Sequence, residues 1–191
     1  MKTFVGLLCI IALVLAQEPE TCSVCRQRTE VLFAALAAEE SVVQQIQLIT
    51  DVGCPNLPDP AGCSVGVETW WPRMAAAVYT DELAAWTCHE LDSTCELPSS
   101  FIWKAWDCNT CMADVRAVSA VGQIPETGAM IVDTLQGPAF CQAEDLALNA
   151  DQEAVCQGYV SRIDLAFNLI FDAVGDSARE ICVELYQICD A

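Results

Sequence analysis

Basic residues are scarce in this sequence. Eight Lys and Arg stand singly against 27 Asp and Glu, with one His, and the formal net charge of the 191 residues is −19. No patch of such a chain can neutralise a run of phosphates, so nucleic acid is excluded as a partner. Attraction to an anionic membrane by charge alone is disfavoured at neutral pH. No two basic residues are adjacent, so a dibasic processing site is absent and one two-lobed protein is expected instead of a precursor of two. Further absences remove chemistry. G-x-S-x-G does not occur, and a Ser-His-Asp arrangement would depend on His89 alone, so no catalytic site is expected. The calcium pattern D-x-[DN]-x-[DN]-G is missing, and the carboxylates are dispersed as solvated helix faces, so no metal site is expected either. Neither N-x-[ST] sequons nor strand-type alternation of β-branched residues are found, which argues against glycosylation and against sheets.

What remains is apolar and rich in cysteine. A hydrophobic fraction of 54% with 18% charged residues describes a chain that buries a core, not an acidic disordered tail. Residues 1–16 stand apart: Lys2, then an apolar run from Phe4 to Leu15, then Ala16 before Gln17. That run is too short for a membrane span and fits a secretory signal peptide. Its removal takes Cys9 away and leaves twelve of the 13 cysteines, an even number in a secreted chain, which reads as a disulfide framework. No later apolar stretch approaches roughly 18 residues.

The twelve cysteines form two sets of six. Cys22, Cys25, Cys54, Cys63, Cys88 and Cys95 are separated by gaps of 2, 28, 8, 24 and 6 residues; Cys108, Cys111, Cys141, Cys156, Cys182 and Cys189 by 2, 29, 14, 25 and 6. Four of the five gaps agree within one residue, which marks a duplicated unit with a loop at the variable gap. A zinc reading of the C-x2-C pairs fails because they lie in equivalent places of two repeats and His89 is the sole His. A redox reading lacks its βαβ context. Six cysteines allow 15 pairings, and spacing does not choose among them.

Helical periodicity fills the gaps. Val31, Leu32 and Leu36, then Val42, Ile46 and Ile49, recur at three- and four-residue intervals, with Ser41 as N-cap of the second helix and Gly53 as its stop. Val155, Tyr159, Ile163, Ala166, Ile170 and Val174 make one long stripe to Gly175, followed by a Ser177-x-x-Glu180 capping box. Pro125 opens another helix. Pro72 is expected to kink or start the third helix, with Trp70 and Trp71 in the turn before it. Cys88/Cys95 and Cys182/Cys189 would each lie two helical turns apart on one face.

C-x2-C, a helical hairpin, a central Cys–Cys loop, another hairpin and a closing C-x6-C together resemble the saposin-like family. The stretches beginning at Cys54 and Cys156 are similar to its central loop and third-helix start, and Cys182 to Cys189 to its last helix. The resemblance spans residues 22 to 189. It implies an all-α fold of two tandem disulfide-stapled domains of four to five helices each: signal peptide 1–16, saposin B-type domain 17–97, a short aromatic linker 98–107, and a second such domain 108–191. It also implies nested bridges, Cys22–Cys95, Cys25–Cys88 and Cys54–Cys63, then Cys108–Cys189, Cys111–Cys182 and Cys141–Cys156. One difficulty accompanies that pattern. Three helical residues rise roughly 4.5 Å and seven roughly 10.5 Å, so the stapled helices cannot lie simply side by side.

By the same resemblance the molecule would be a secreted carrier of a lipid or other apolar small molecule, with no other cofactor. Candidate ligand-facing residues are Phe33, Trp70, Trp71, Trp86, Phe101, Trp103, Trp106, Tyr159, Phe167 and Phe171, more large aromatics than two small cores need. Phe101, Ile102, Trp103 and Trp106 make the linker apolar, unlike a flexible tether, so it is expected to pack between the lobes. The family also acts at membrane surfaces, which titration of so many carboxylates would favour at acidic pH, as in a lysosome-like compartment. A homodimer holding an acyl chain between protomers belongs to the same expectation. Two other readings stay open: a pore-forming antimicrobial protein, for which His89 would be the acid-sensing residue, and a secreted signalling factor.

Overall fold

A computed structural model describes residues 20–91, 107–136, 140–142 and 148–190. The aromatic linker with Phe101, Trp103 and Trp106, the pairing of Cys22 with Cys95 and the signal-peptide stretch lie outside the described residues. Within them the protein is all-α, without strands, and stapled by disulfides.

Helix α1 spans Glu20–Ala37 and α2 Glu39–Leu48. Thr29, Leu32 and Phe33 of α1 are buried. In α2 the buried positions are Val42 and Gln45, and its axis continues through a π-turn, Ile49–Gly53, and a short 3-10 turn, Cys54–Asn56. The cap expected at Ser41 lies elsewhere: the N-cap is an extended Ala38, three residues earlier, with Glu39 and Glu40 meeting the positive end of the helix dipole. Ser41 instead accepts a hydrogen bond from Gln45 Nε2 at 3.0 Å.

Helix α3, Pro60–Val78, starts at Asp59, whose carboxylate accepts from the Gly62 amide at 3.0 Å, with Pro60 at the first helical position, where its missing N–H costs nothing. Pro72 neither starts this helix nor follows a turn. It sits in the interior, so Trp70 and Trp71 are helical, and Trp71 is wholly buried. Gln45 makes that burial tolerable. Its Oε1 accepts from Trp71 Nε1 at 3.0 Å while its Nε2 donates to the Leu36 carbonyl at 2.7 Å, so neither polar side chain is orphaned. Helix α4, Asp81–Leu91, carries Leu83, Ala84, Thr87 and Cys88 on its inner face.

The second half is again a run of helices. Helix α5 spans Cys108–Gly122 behind an Asp107 cap, and α6 Pro125–Gln136 begins at its proline as expected. Helix α7, Ala150–Val160, opens with a capping box between Asn149 and Gln152. The long stripe of residues 155–174 is two helices, because the chain turns at Ser161 and Arg162 before α8, Ile163–Asp176. Ile163, Phe167, Ile170, Phe171 and Val174 line the buried face of α8. Helix α9, Ala178–Glu184, follows Ser177, whose side chain makes no cap hydrogen bond, so the expected capping box is not formed.

Bridges join Cys25 to Cys88, Cys54 to Cys63, Cys108 to Cys189, Cys111 to Cys182 and Cys141 to Cys156. The unequal 3- and 7-residue spacings are reconciled by the chain end. Cys182 and Cys189 do not share a helix: α9 stops at Glu184, Gln187 takes a left-handed φ of 54°, and the amides of Ile188 and Cys189 both turn back to the Cys182 carbonyl at 2.9 and 3.3 Å. Folding back replaces the roughly 10 Å rise that a continuous helix would impose.

The two cysteine-defined halves share one hydrophobic core, reaching from Leu32, Phe33 and Trp71 to Phe167, Phe171 and Cys182. Helix α4 lies on α5, α3 on α6, and the π-turn on α8. Rings interlock across this boundary: Trp71 with Phe167 (4.8 Å between centroids), Tyr79 with Phe167 (5.6 Å) and Phe33 with Phe171 (6.3 Å). Polar links follow the same seam. Trp86 Nε1 donates to Thr127 Oγ1 at 3.0 Å, Tyr186 Oη to the Arg28 carbonyl at 2.8 Å, and the Arg28 guanidinium pairs with Asp114 at 3.1 Å.

Candidate apolar groove

An apolar groove lies where the π-turn, the Cys54–Cys63 loop and the start of α3 face α7 and α8. It encloses about 610 Å³. Ile49, Leu57, Val67, Val155, Leu165 and Leu169 supply most of its apolar wall. Val155 is 54% exposed and Leu165 60% exposed, and of the exposed large aliphatics these two lie at the groove. The turn at Ser161–Arg162, which ends α7 and starts α8, brings both helices to the groove.

Its inner end depends on a close contact between the halves. The Tyr159 ring lies so near α3 that a Cβ on Gly66 would sit 1.9 Å from it, and Tyr159 Oη donates to the Gly62 carbonyl at 2.6 Å. Glycine at 66 is required by this approach. Two charged residues line the groove. Asp59 is engaged as the α3 cap, and Arg162 is exposed.

The aromatic residues singled out by sequence separate into two groups. Phe33, Trp71, Phe167 and Phe171 are at most 1% exposed and form the core cluster with Tyr79, so in this closed arrangement they support the groove wall from behind and present no surface to a ligand. Trp70 and Trp86 are partly buried against the same core. Tyr159 alone of the described candidates lines the groove. In comparisons with family models, curated proteins and solved structures, nothing matches this chain. The residues that sequence reasoning passed over, Leu57, Val67, Leu165 and Leu169, are ordinary aliphatics. Leu165 is exposed and the other three are half-buried, so what marks them is their shared place at the groove, which is not written in a 3.6-residue period.

No group of three or more His, Cys, Asp or Glu among the described residues could hold a metal ion. No described helix is long and apolar enough to cross a membrane. His89 is exposed in the last turn of α4.

Burial pushes the Tyr79 phenol well above its usual range, and its hydroxyl, enclosed by the Phe33 and Phe167 rings, has no hydrogen-bond partner. Burial raises Tyr186 likewise, with Arg28 opposing and Asp114 adding to the shift. Arg28 is lowered by burial and held up by Asp114. For a phenol raised in the folded state, the native protein binds the proton more tightly. The stabilising contribution is intact below the unfolded value near pH 10 and is lost as pH rises above it. Denaturant midpoints should therefore fall between about pH 9 and pH 11. Tyr79→Phe should make that fall shallower and, by removing an orphaned hydroxyl, keep or raise stability at neutral pH by up to roughly 1 kcal/mol. A clear destabilisation by Tyr79→Phe at neutral pH would mean that the hydroxyl has a partner after all.

Proposed function

We propose that this protein is a secreted, saposin-like carrier of a lipid or other apolar small molecule, held in the groove between α3 and α7–α8. The observation that carries the reading is the groove itself: about 610 Å³, walled mainly by aliphatic side chains, with Val155 and Leu165 exposed at it. Pockets for single small ligands run from roughly 300 to 1,000 Å³ and are lined in this way, with a few polar groups for orientation. The cysteine pattern and the signal-like first sixteen residues support secretion, and a disulfide-stapled chain suits an oxidising compartment. With a net charge of −19, the protein is kept dispersed and away from anionic lipid at neutral pH, and protonating carboxylates relieves that repulsion.

Native mass spectrometry of the secreted protein tests the reading, because it reports ligand mass and stoichiometry together. One co-purifying apolar molecule per chain, lost when Leu165→Asp is introduced at the groove, is the expected result. A protein that neither carries nor takes up any apolar molecule would remove the proposal. Delivery should follow pH: co-flotation with anionic liposomes should rise between about pH 7 and 4.5 as carboxylates titrate, and His89→Ala should leave most of that rise intact. Dye release that vanishes in His89→Ala would point to a pore former instead.

A further inference from the structure

The groove has one chemical asymmetry. Its wall is aliphatic, yet the turn between α7 and α8 places Arg162 among its lining residues, exposed to solvent and, among the described residues, not engaged in an ion pair. The chain has 27 acidic and eight basic residues, and among the described residues Arg162 is the one basic residue that lines this groove. The other charged lining residue, Asp59, already serves the first turn of α3 through its bond to the Gly62 amide.

We infer that the groove takes a single-chain amphiphile with a carboxylate head, the hydrocarbon lying along Val67, Val155, Leu165 and Leu169 and the head against Arg162. The inference rests on the carrier reading above and narrows it. A guanidinium presents paired N–H donors that match the two oxygens of a carboxylate, and such charge-assisted pairs are stronger than neutral hydrogen bonds. One guanidinium with no second cation beside it suits a single negative charge better than a phosphate ester carrying up to two. A cationic head would meet Arg162 with like charge, and a neutral head would leave it unused. The aliphatic wall contributes affinity without regard to the head, at roughly 0.8 kcal/mol for each methylene removed from water. Chain and head are thus read by separate parts of the site, which makes the two separable by experiment.

The test uses the full-length secreted protein, stripped of lipid, in titration calorimetry at about pH 8 with three probes of equal chain: oleate, oleyl alcohol and oleylamine. Oleate should bind tightest. Arg162→Gln should weaken oleate by about threefold to fivefold, the upper range for a solvent-exposed ion pair, with Arg162→Lys in between, and should leave oleyl alcohol within about twofold of the parent. Arg162 is exposed, so these variants should keep the parental thermal unfolding curve. Equal affinity for oleate and the alcohol, preference for the amine, or an oleate affinity indifferent to Arg162→Gln would each overturn the carboxylate assignment while leaving the carrier reading in place. Failure of all three probes to bind would remove both.

Discussion

Phe167→Ala is expected to lower the unfolding free energy by about 3–5 kcal/mol, and the loss should be felt in both cysteine-defined halves. The ring is 1% exposed and stands at the junction of the core, against Trp71 and Tyr79 of the first half and Phe171 of its own. Its removal leaves a cavity that neighbouring disulfide-anchored helices can close only in part. For a chain of this size the midpoint should drop by roughly 10 °C. Native-state hydrogen exchange locates the effect. Slow amides of α1 and α3 should lose protection by the same amount as those of α5 and α8, because one core serves all four. Loss confined to α8 would show the halves to be separate folding units.

Removing the Cys111–Cys182 bridge as the pair Cys111→Ala and Cys182→Ala should cost about 4 kcal/mol in the chain-entropy model. Its partners are 71 residues apart and both wholly buried, at the contact of α5 with α9. The pair Cys54→Ala and Cys63→Ala spans 9 residues and should cost less, about 3 kcal/mol by the same model. Denaturant midpoints of the two double variants make the comparison. A cost below about 1 kcal/mol for the long loop would mean that the unfolded chain is already held compact by its other bridges.

The helices between Cys25 and Cys54 and between Val155 and Cys182 were readable because apolar positions recur there at three- and four-residue spacing and define a face. Pro125 opens α6 as local physics requires, whereas Gly175, expected as a stop, lies inside α8, which runs on to Asp176. Departures arose where a tertiary contact outweighed the local signal. Pro72 is accommodated inside α3, a helix held by the Gln45–Trp71 bond and by its packing on α2 and α6. The stripe through residue 174 continues in register across Ser161 and Arg162, so periodicity alone does not register that the backbone turns there. The groove was less legible still. It draws on residues near 57 and near 160, a hundred positions apart, and on side chains whose type is commonplace. The large aromatics drew attention by their number, but size favours burial: burying Phe33, Trp71, Phe167 and Phe171 removes far more apolar surface from water than any aliphatic.

The seat of Tyr159 on Gly66 has a meaning for how a doubled chain can diverge. Both residues stand three places after the fourth cysteine of their set, Cys156 and Cys63, so the contact joins the same position of the two copies to itself. In an assembly of two identical copies, a self-facing position must carry one residue type on both sides. Two tyrosines would collide there, and two glycines would leave a hollow. Tethering the copies in one polypeptide lifts that restriction, and here the freedom is used as knob and socket. The outcome is a single, one-sided cleft with its own polarity, something a pair of subunits related by a two-fold axis would have had to build twice or not at all.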